Sequence, residues 1–211
     1  GLGKVCAVAG PLPMIDEQGS PTGNIIRLQV VGAVDADALA EAGCAIGGGA
    51  FARRLVELFG PIGPEVVTAE DIVLAFRAAL AGPIVMLDRP VMKYRQHGQS
   101  LLGSSGPLAP DARRYRQGFE RMLRGVIAAR RVQLRDIARA EALNMIDRRR
   151  ARGLAARIER HLAAERLSLE LLQRKAGPLL ARRWRRGRGQ YSPREAGKAL
   201  AMGIAPGWWF G

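Results

Sequence analysis

The chain has little that would cross-link it or carry it through a membrane. Its two cysteines, Cys6 and Cys44, lie in apolar stretches with no Cys-x-x-Cys spacing. That argues against a disulfide framework or a cysteine zinc site, and makes a reducing compartment the default. No apolar run reaches the roughly 18–20 residues of a membrane-spanning helix. There are two histidines, no internal repeat and no Gly-x-x-x-x-Gly-Lys phosphate loop. Lysine is scarce, 4 residues against 29 arginines. The sequence opens at Gly1 with no initiator Met and no signal-peptide pattern, and reads as a piece of something longer.

What is present is a globular composition: 211 residues, 48% hydrophobic and 25% charged. That is enough for one ordinary domain or one and a half small ones. The charge is uneven. Lys and Arg number 33 against 19 Asp and Glu, a net of +14. Residues 1–108 hold 8 basic and 10 acidic side chains, whereas residues 109–211 hold 25 and 9. The Gly103-Ser104-Ser105-Gly106-Pro107 stretch between them is linker chemistry. The expected division is an α/β part over 1–108 and a basic α-helical part over 109–211.

Within the first part, Val5 to Ala9 predicts a buried strand ended by Gly10-Pro11, and Asp16 to Pro21 predicts a turn. Ile25 to Val31 predicts a second extended segment. Asp35 to Ala42 predicts a short helix, and Cys44 to Gly49 a Gly-rich strand or loop. Phe51 to Phe59 predicts a second helix ended by Gly60-Pro61. Thr68 is the expected N-cap of a third helix, Ala69 to Ala81, with Ile72, Phe76, Ala79 and Leu80 as its apolar stripe. Ile84 to Leu87 predicts a last strand. From Asp111 to about Trp184 the pattern is helical, with breaks expected at Gly153 and at Gly177-Pro178. Ser192-Pro193-Arg194-Glu195 predicts the start of a final helix.

Four groups of residues recur in order between Gly47 and Leu101. These are Gly47-Gly48-Gly49-Ala50-Phe51 leading to Arg53-Arg54, Phe59-Gly60, Glu70-Asp71 opening a helix that carries Arg77, and Tyr94-Arg95-Gln96-His97. In order and spacing this resembles the C-terminal part of the catalytic domain of family 2 glycosyltransferases, the GT-A-type sugar transferases, over about half the chain. The resemblance implies half of a GT-A-type, Rossmann-like α/β domain followed by a mostly helical region. It implies transfer of a sugar, with inversion, from a nucleotide diphosphate sugar to an acceptor hydroxyl, in cell-surface polysaccharide or glycolipid synthesis. It places the general base on Asp71, with Glu70 as its neighbour. It places His97, Arg95, Gly48 and Gly49 on the donor side, and implies a divalent metal, Mg or Mn, with His97 a candidate ligand. The family's donor half, with its own Asp-x-Asp, is absent, so this chain alone is expected to be inactive. Asp35-Ala36-Asp37 spells that motif but lies too close to Glu70 and opens a helix, where Asp is a good cap.

The chemistry of the acid pair stands apart from the resemblance. A carboxylate fixed at a helix mouth can take the acceptor proton, and general-base help contributes about 10²–10⁴-fold. The plainer reading is that acids in a first helical turn complement the macrodipole by roughly 0.3–1 kcal/mol. Likewise His97 can be a ligand, a hydrogen-bond donor or a plain loop residue, and Arg95 a phosphate partner or a solvated strand end. Arg53 and Arg54 read as surface helix residues, Arg77 as an ion-pair residue and His161 as a helix residue.

The basic part admits three readings. Arg182 to Arg188 around Trp184, and then Trp208-Trp209-Phe210, suit the surface of an anionic membrane and a lipid-linked acceptor. That would place the protein in the cytoplasm, peripheral on the inner face of the membrane. Nucleic acid ranks lower, because no recognised binding motif accompanies the charge. Solvated Arg-rich helix faces are the third reading. The rival to sugar transfer is therefore a non-enzymatic basic helical module that binds a polyanion.

Overall fold

A computed structural model describes residues 5–26, 34–42, 49–95 and 112–173. The fold is mixed α/β, with two small sheets and several helices. Short apolar segments bounded by Gly and Pro make the strands β1 (Ala7–Ala9), β2 (Leu12–Ile15), β3 (Pro21–Ile26), β4 (Gly49–Phe51), β5 (Ile84–Met86) and β6 (Tyr94–Arg95). The helices are α1 (Ala36–Ala42), α2 (Arg54–Phe59), α3 (Glu70–Ala81), α4 (Ala112–Ala142) and α5 (Arg148–Leu172).

The sheet orders are β4-β1-β5 and β3-β2-β6. In each, the central strand has one antiparallel and one parallel neighbour. The chain passes from β1 to β2 through Gly10-Pro11, and the stretch from β5 to β6 runs alongside it. Gly10 permits this: a Cβ there would stand 2.7 Å from the Arg89 carbonyl oxygen. The turn between β2 and β3 closes on Asp16, whose Oδ1 accepts the Ser20 N–H at 2.8 Å. Gly19 adopts φ 92° there, a conformation that favours glycine.

Three expectations for local structure need correction. Phe51 lies in β4 opposite Ala7, so α2 begins at Arg54. Pairing with the buried β1 draws Phe51 out of the expected helix and into a strand. Thr68 does not cap α3. Ala69 holds the cap position without a side-chain bond, and the Thr68 hydroxyl is buried beside Gly125. Gly153 does not break the second part, because α5 runs through it with its Cα position exposed and uncrowded. A lone glycine costs a helix only about 1 kcal/mol. The break is at 143–147 instead. Asn144 takes φ 56°, Met145 N–H bonds the Ala140 carbonyl at 2.9 Å, and Asp147 caps α5 through the Arg150 N–H at 2.7 Å.

Asp35 does cap α1, its Oδ1 accepting the Ala38 N–H at 2.8 Å. Asp37 is held by Arg150 and Arg157 of α5, at 3.0 and 2.6 Å. His161 is a helix residue, with Nε2 3.2 Å from the Glu41 carbonyl. The Gly103–Pro107 stretch, Gly177-Pro178 and the helix expected at Ser192 lie outside the described residues.

The largest core joins the two compositional halves. Leu39, Phe76 and Leu80 bury against Ile137, Leu154 and Ile158 of the helical pair. A second core sets Val66, Ile72 and Val73 against Ala128, Ala129 and Val132. Among the described residues, no helix is long and apolar enough to cross a membrane.

Candidate functional site

Helix α3 is built from strong helix formers with one apolar face, and stops where Gly82-Pro83 cannot continue it. Seven of its twelve residues are buried, so its axis is fixed between α1 and α4. Its N-terminus meets solvent and carries Glu70 and Asp71. Asp71 Oδ1 accepts the Ile72 N–H at 2.9 Å. The carboxylate thus meets one of the free amides of the first turn, which Thr68 leaves open.

The protein around Asp71 pushes its pKa above the usual aspartate value. Loss of hydration is the main cause, the neighbouring Glu70 charge adds to it, and hydrogen bonds from the Ile72 and Asp71 amides oppose it. The side chain nevertheless remains open to solvent. Tyr94, at the start of β6, is near enough for the Asp71 charge to raise its own pKa, after a larger contribution from burial. The Asp71 charge is therefore felt at Tyr94, 23 positions further along the chain.

The other expected site residues are placed differently. Arg95 Nη1 donates to the backbone carbonyls of Asp16 and Glu17 in the β2–β3 turn, so its guanidinium fastens that turn. Gly49 is a strand residue paired with Ala9, where a Cβ would lie 3.0 Å from the Val8 carbonyl oxygen. Any larger residue there would press on β1. Gly48 and His97 lie outside the described residues. Arg53 is a surface residue, 3.7 Å from Glu57. Arg54 is half-buried rather than superficial, with Nη2 donating to the sulfur of the buried Cys6. Among the described residues, no three His, Cys, Asp or Glu side chains come together. They do not make up a ligand set for the divalent metal.

Arg77 does form an ion pair, but its partner lies in the helical part. Its Nε donates to Asp136 Oδ2 at 2.7 Å and its Nη2 to Asp136 Oδ1 at 3.1 Å. Nη1 donates to the Gly60 carbonyl at 2.7 Å. The Phe59 ring lies 5.5 Å below the guanidinium. Burial pushes the Asp136 carboxyl upward, and Arg77 pulls it back.

Sequence reasoning missed Arg130, Gln133, Asp136 and Glu165. The signal was present. Arg130, Gln133 and Asp136 recur every three residues inside the apolar face of α4, where a polar residue must be either paired or wrong. No protein-family model, curated protein or solved structure matches this chain.

Proposed function

We propose that this chain is the acceptor-side portion of an inverting family 2 glycosyltransferase of the GT-A, Rossmann-like type. The observation that carries the reading is Asp71, a carboxylate at the open mouth of a firmly packed helix. Loss of hydration raises its pKa, and its charge reaches Tyr94 of the Tyr94-Arg95 segment. A base is most effective when its pKa approaches the working pH, and partial desolvation moves Asp71 that way. In the reaction, Asp71 takes the proton of the acceptor hydroxyl. The freed oxygen bonds to the anomeric carbon of the donor, and the nucleotide diphosphate leaves on the opposite face with the bonding electrons. Glu70 orients the acceptor. His97 and Gly48 are the donor-side candidates; Arg95 is tied to the β2–β3 turn and Gly49 is paired within its sheet, so neither is retained in that role. Among the described residues, no group of His, Cys, Asp and Glu supplies a ligand set for the divalent metal that the resemblance implies.

The acceptor is a hydroxyl compound, with a lipid-linked acceptor fitting a cytoplasmic enzyme peripheral on the inner face of an anionic membrane. One observation favours the rival polyanion-binding module: α4 and α5 carry Arg121, Arg131, Arg148, Arg149 and Arg152 exposed. The deciding experiment is Asp71→Asn in the full-length protein, assayed with a panel of UDP-, GDP- and dTDP-sugars. Transfer falls by about 10²–10⁴-fold while donor binding is kept. Near-normal transfer removes Asp71 as the base, and a salt-sensitive DNA mobility shift with no nucleotide-sugar binding favours the rival.

A further inference from the structure

Two of the polar side chains buried along α4, Arg130 and Gln133, lead to the first turn of α3. Gln133 is 1% exposed, and its Nε2 donates to the Ile72 carbonyl at 3.4 Å. Its Oε1 accepts from Arg130 Nη1 at 3.0 Å. Arg130, also 1% exposed, donates through Nε to Glu165 Oε1 of α5 at 3.1 Å. On the other side of the same residue, the Ile72 N–H donates to Asp71 Oδ1. Five residues from three helices thus form one line, Glu165–Arg130–Gln133–Ile72–Asp71.

This line is costly for a protein to keep. A buried amide and a buried guanidinium each lose hydration, and packed apolar side chains serve stability as well or better. The neighbouring contacts, Val66, Val73, Ala129 and Val132, show that the α3–α4 seam accepts such residues. The line does something apolar residues cannot do, which is to fix direction. A guanidinium has donors and no acceptor, so Arg130 compels Gln133 to turn its oxygen toward the guanidinium. The amide N–H then has one orientation, toward Ile72. The first turn of α3 needs such a hold, because Ala69 offers no side-chain cap and Thr68 is turned aside. Helix ends without caps fray.

We propose that Gln133 is a positioning residue for Asp71: it holds Ile72 from the helical part, and Ile72 in turn orients the Asp71 carboxylate. This rests on the reading of Asp71 as the base. It makes the basic helical part a working member of the site.

The test is Gln133→Met in the full chain, a variant that keeps side-chain length and cannot donate. Two readouts need no substrate: the titration of the Asp71 carboxyl carbon by NMR and the exchange protection of the Ile72 amide. The expected result is a shift of the Asp71 midpoint by about half a pH unit or more, an easily resolved change in its environment. Ile72 protection falls about tenfold, while Arg135→Met, an exposed α4 control, changes neither. An unchanged Asp71 titration in Gln133→Met overturns the proposal. Should that variant fail to fold, Gln133→Glu keeps an acceptor for Arg130 and can donate only when protonated. Measured against the parent at the same pH, its Ile72 protection is closer to the parent's at acid pH than at neutral pH; an equal ratio at both overturns the proposal. In the transfer assay, Gln133→Met lowers kcat by on the order of ten- to a hundredfold with KM kept. The titration reads the positioning line and the Asp71→Asn assay reads the base, so the failure of either is distinguishable.

Discussion

A carboxylate at a helix mouth is pulled two ways. The free amides of the first turn favour its charge, and the surrounding protein disfavours it by keeping water away. At Asp71 the second influence wins, and its pKa rises. The folded chain therefore holds that proton more tightly than the unfolded chain. Between the unfolded value and the raised folded value, folding takes up a proton, so stability falls as pH rises through that window. Asp71→Asn removes this dependence while keeping an oxygen for the Ile72 N–H. The melting temperature of the variant relative to the parent will be higher at pH 7 than at pH 3. A difference that does not change with pH would contradict the raised pKa. Tyr94 will titrate lower in the same variant, because one of the two influences that raise it is gone.

At the scale of one element, α3 shows how packing decides which side chain attends a helix end. Thr68 is a good N-cap by type, yet α4 approaches so closely at Gly125 that its hydroxyl is buried there instead. A Cβ at Gly125 would stand 3.2 Å from Thr68 Cβ. That hydroxyl finds no hydrogen-bond partner among the described residues. Thr68→Val will therefore leave stability within about 0.5 kcal/mol of the parent or raise it, since an unpaired buried polar group is removed. A true cap would lose about 0.5–2 kcal/mol on such a change, and chemical denaturation separates the two outcomes. The start of α1 was legible, because Asp35 caps through a bond to the amide three residues on. Asp147 caps α5 in the same way, but the break it marks was expected at Gly153. The start of α2 was not, since Phe51 serves a strand whose partner lies 44 residues earlier.

At the scale of the molecule, the two parts differ in charge and share a core. The Arg77–Asp136 pair, with side chains 2% and 4% exposed, crosses the seam between them. Removing one member of a buried pair leaves a charge without its partner. Asp136→Ala will therefore cost about 3–5 kcal/mol in urea denaturation. Replacing both, as Arg77→Met with Asp136→Leu, will recover most of that loss, because the seam is otherwise apolar. A double variant as unstable as the single one would show that the guanidinium's bond to the Gly60 carbonyl and its contact with the Phe59 ring, not the ion pair, hold the seam. The same shared core explains how an α/β part of few strands is stabilised: its apolar helix faces are covered by α4 and α5.

Local chemistry determined much of this protein. Apolar runs bounded by Gly and Pro gave strands β1 and β5, and the spacing of Ile72, Phe76 and Leu80 gave helix α3. The placing of Glu70 and Asp71 in a first helical turn was legible for the same reason, since the signal lies within a few residues. Tertiary structure alone decided the rest. It put Tyr94 within reach of the Asp71 charge, fastened Arg95 to the β2–β3 turn, turned Thr68 away from its cap and set Gln133 against Ile72. Each of these depends on segments distant in the chain meeting in space, and residue spacing carries no information about a partner 60 residues away.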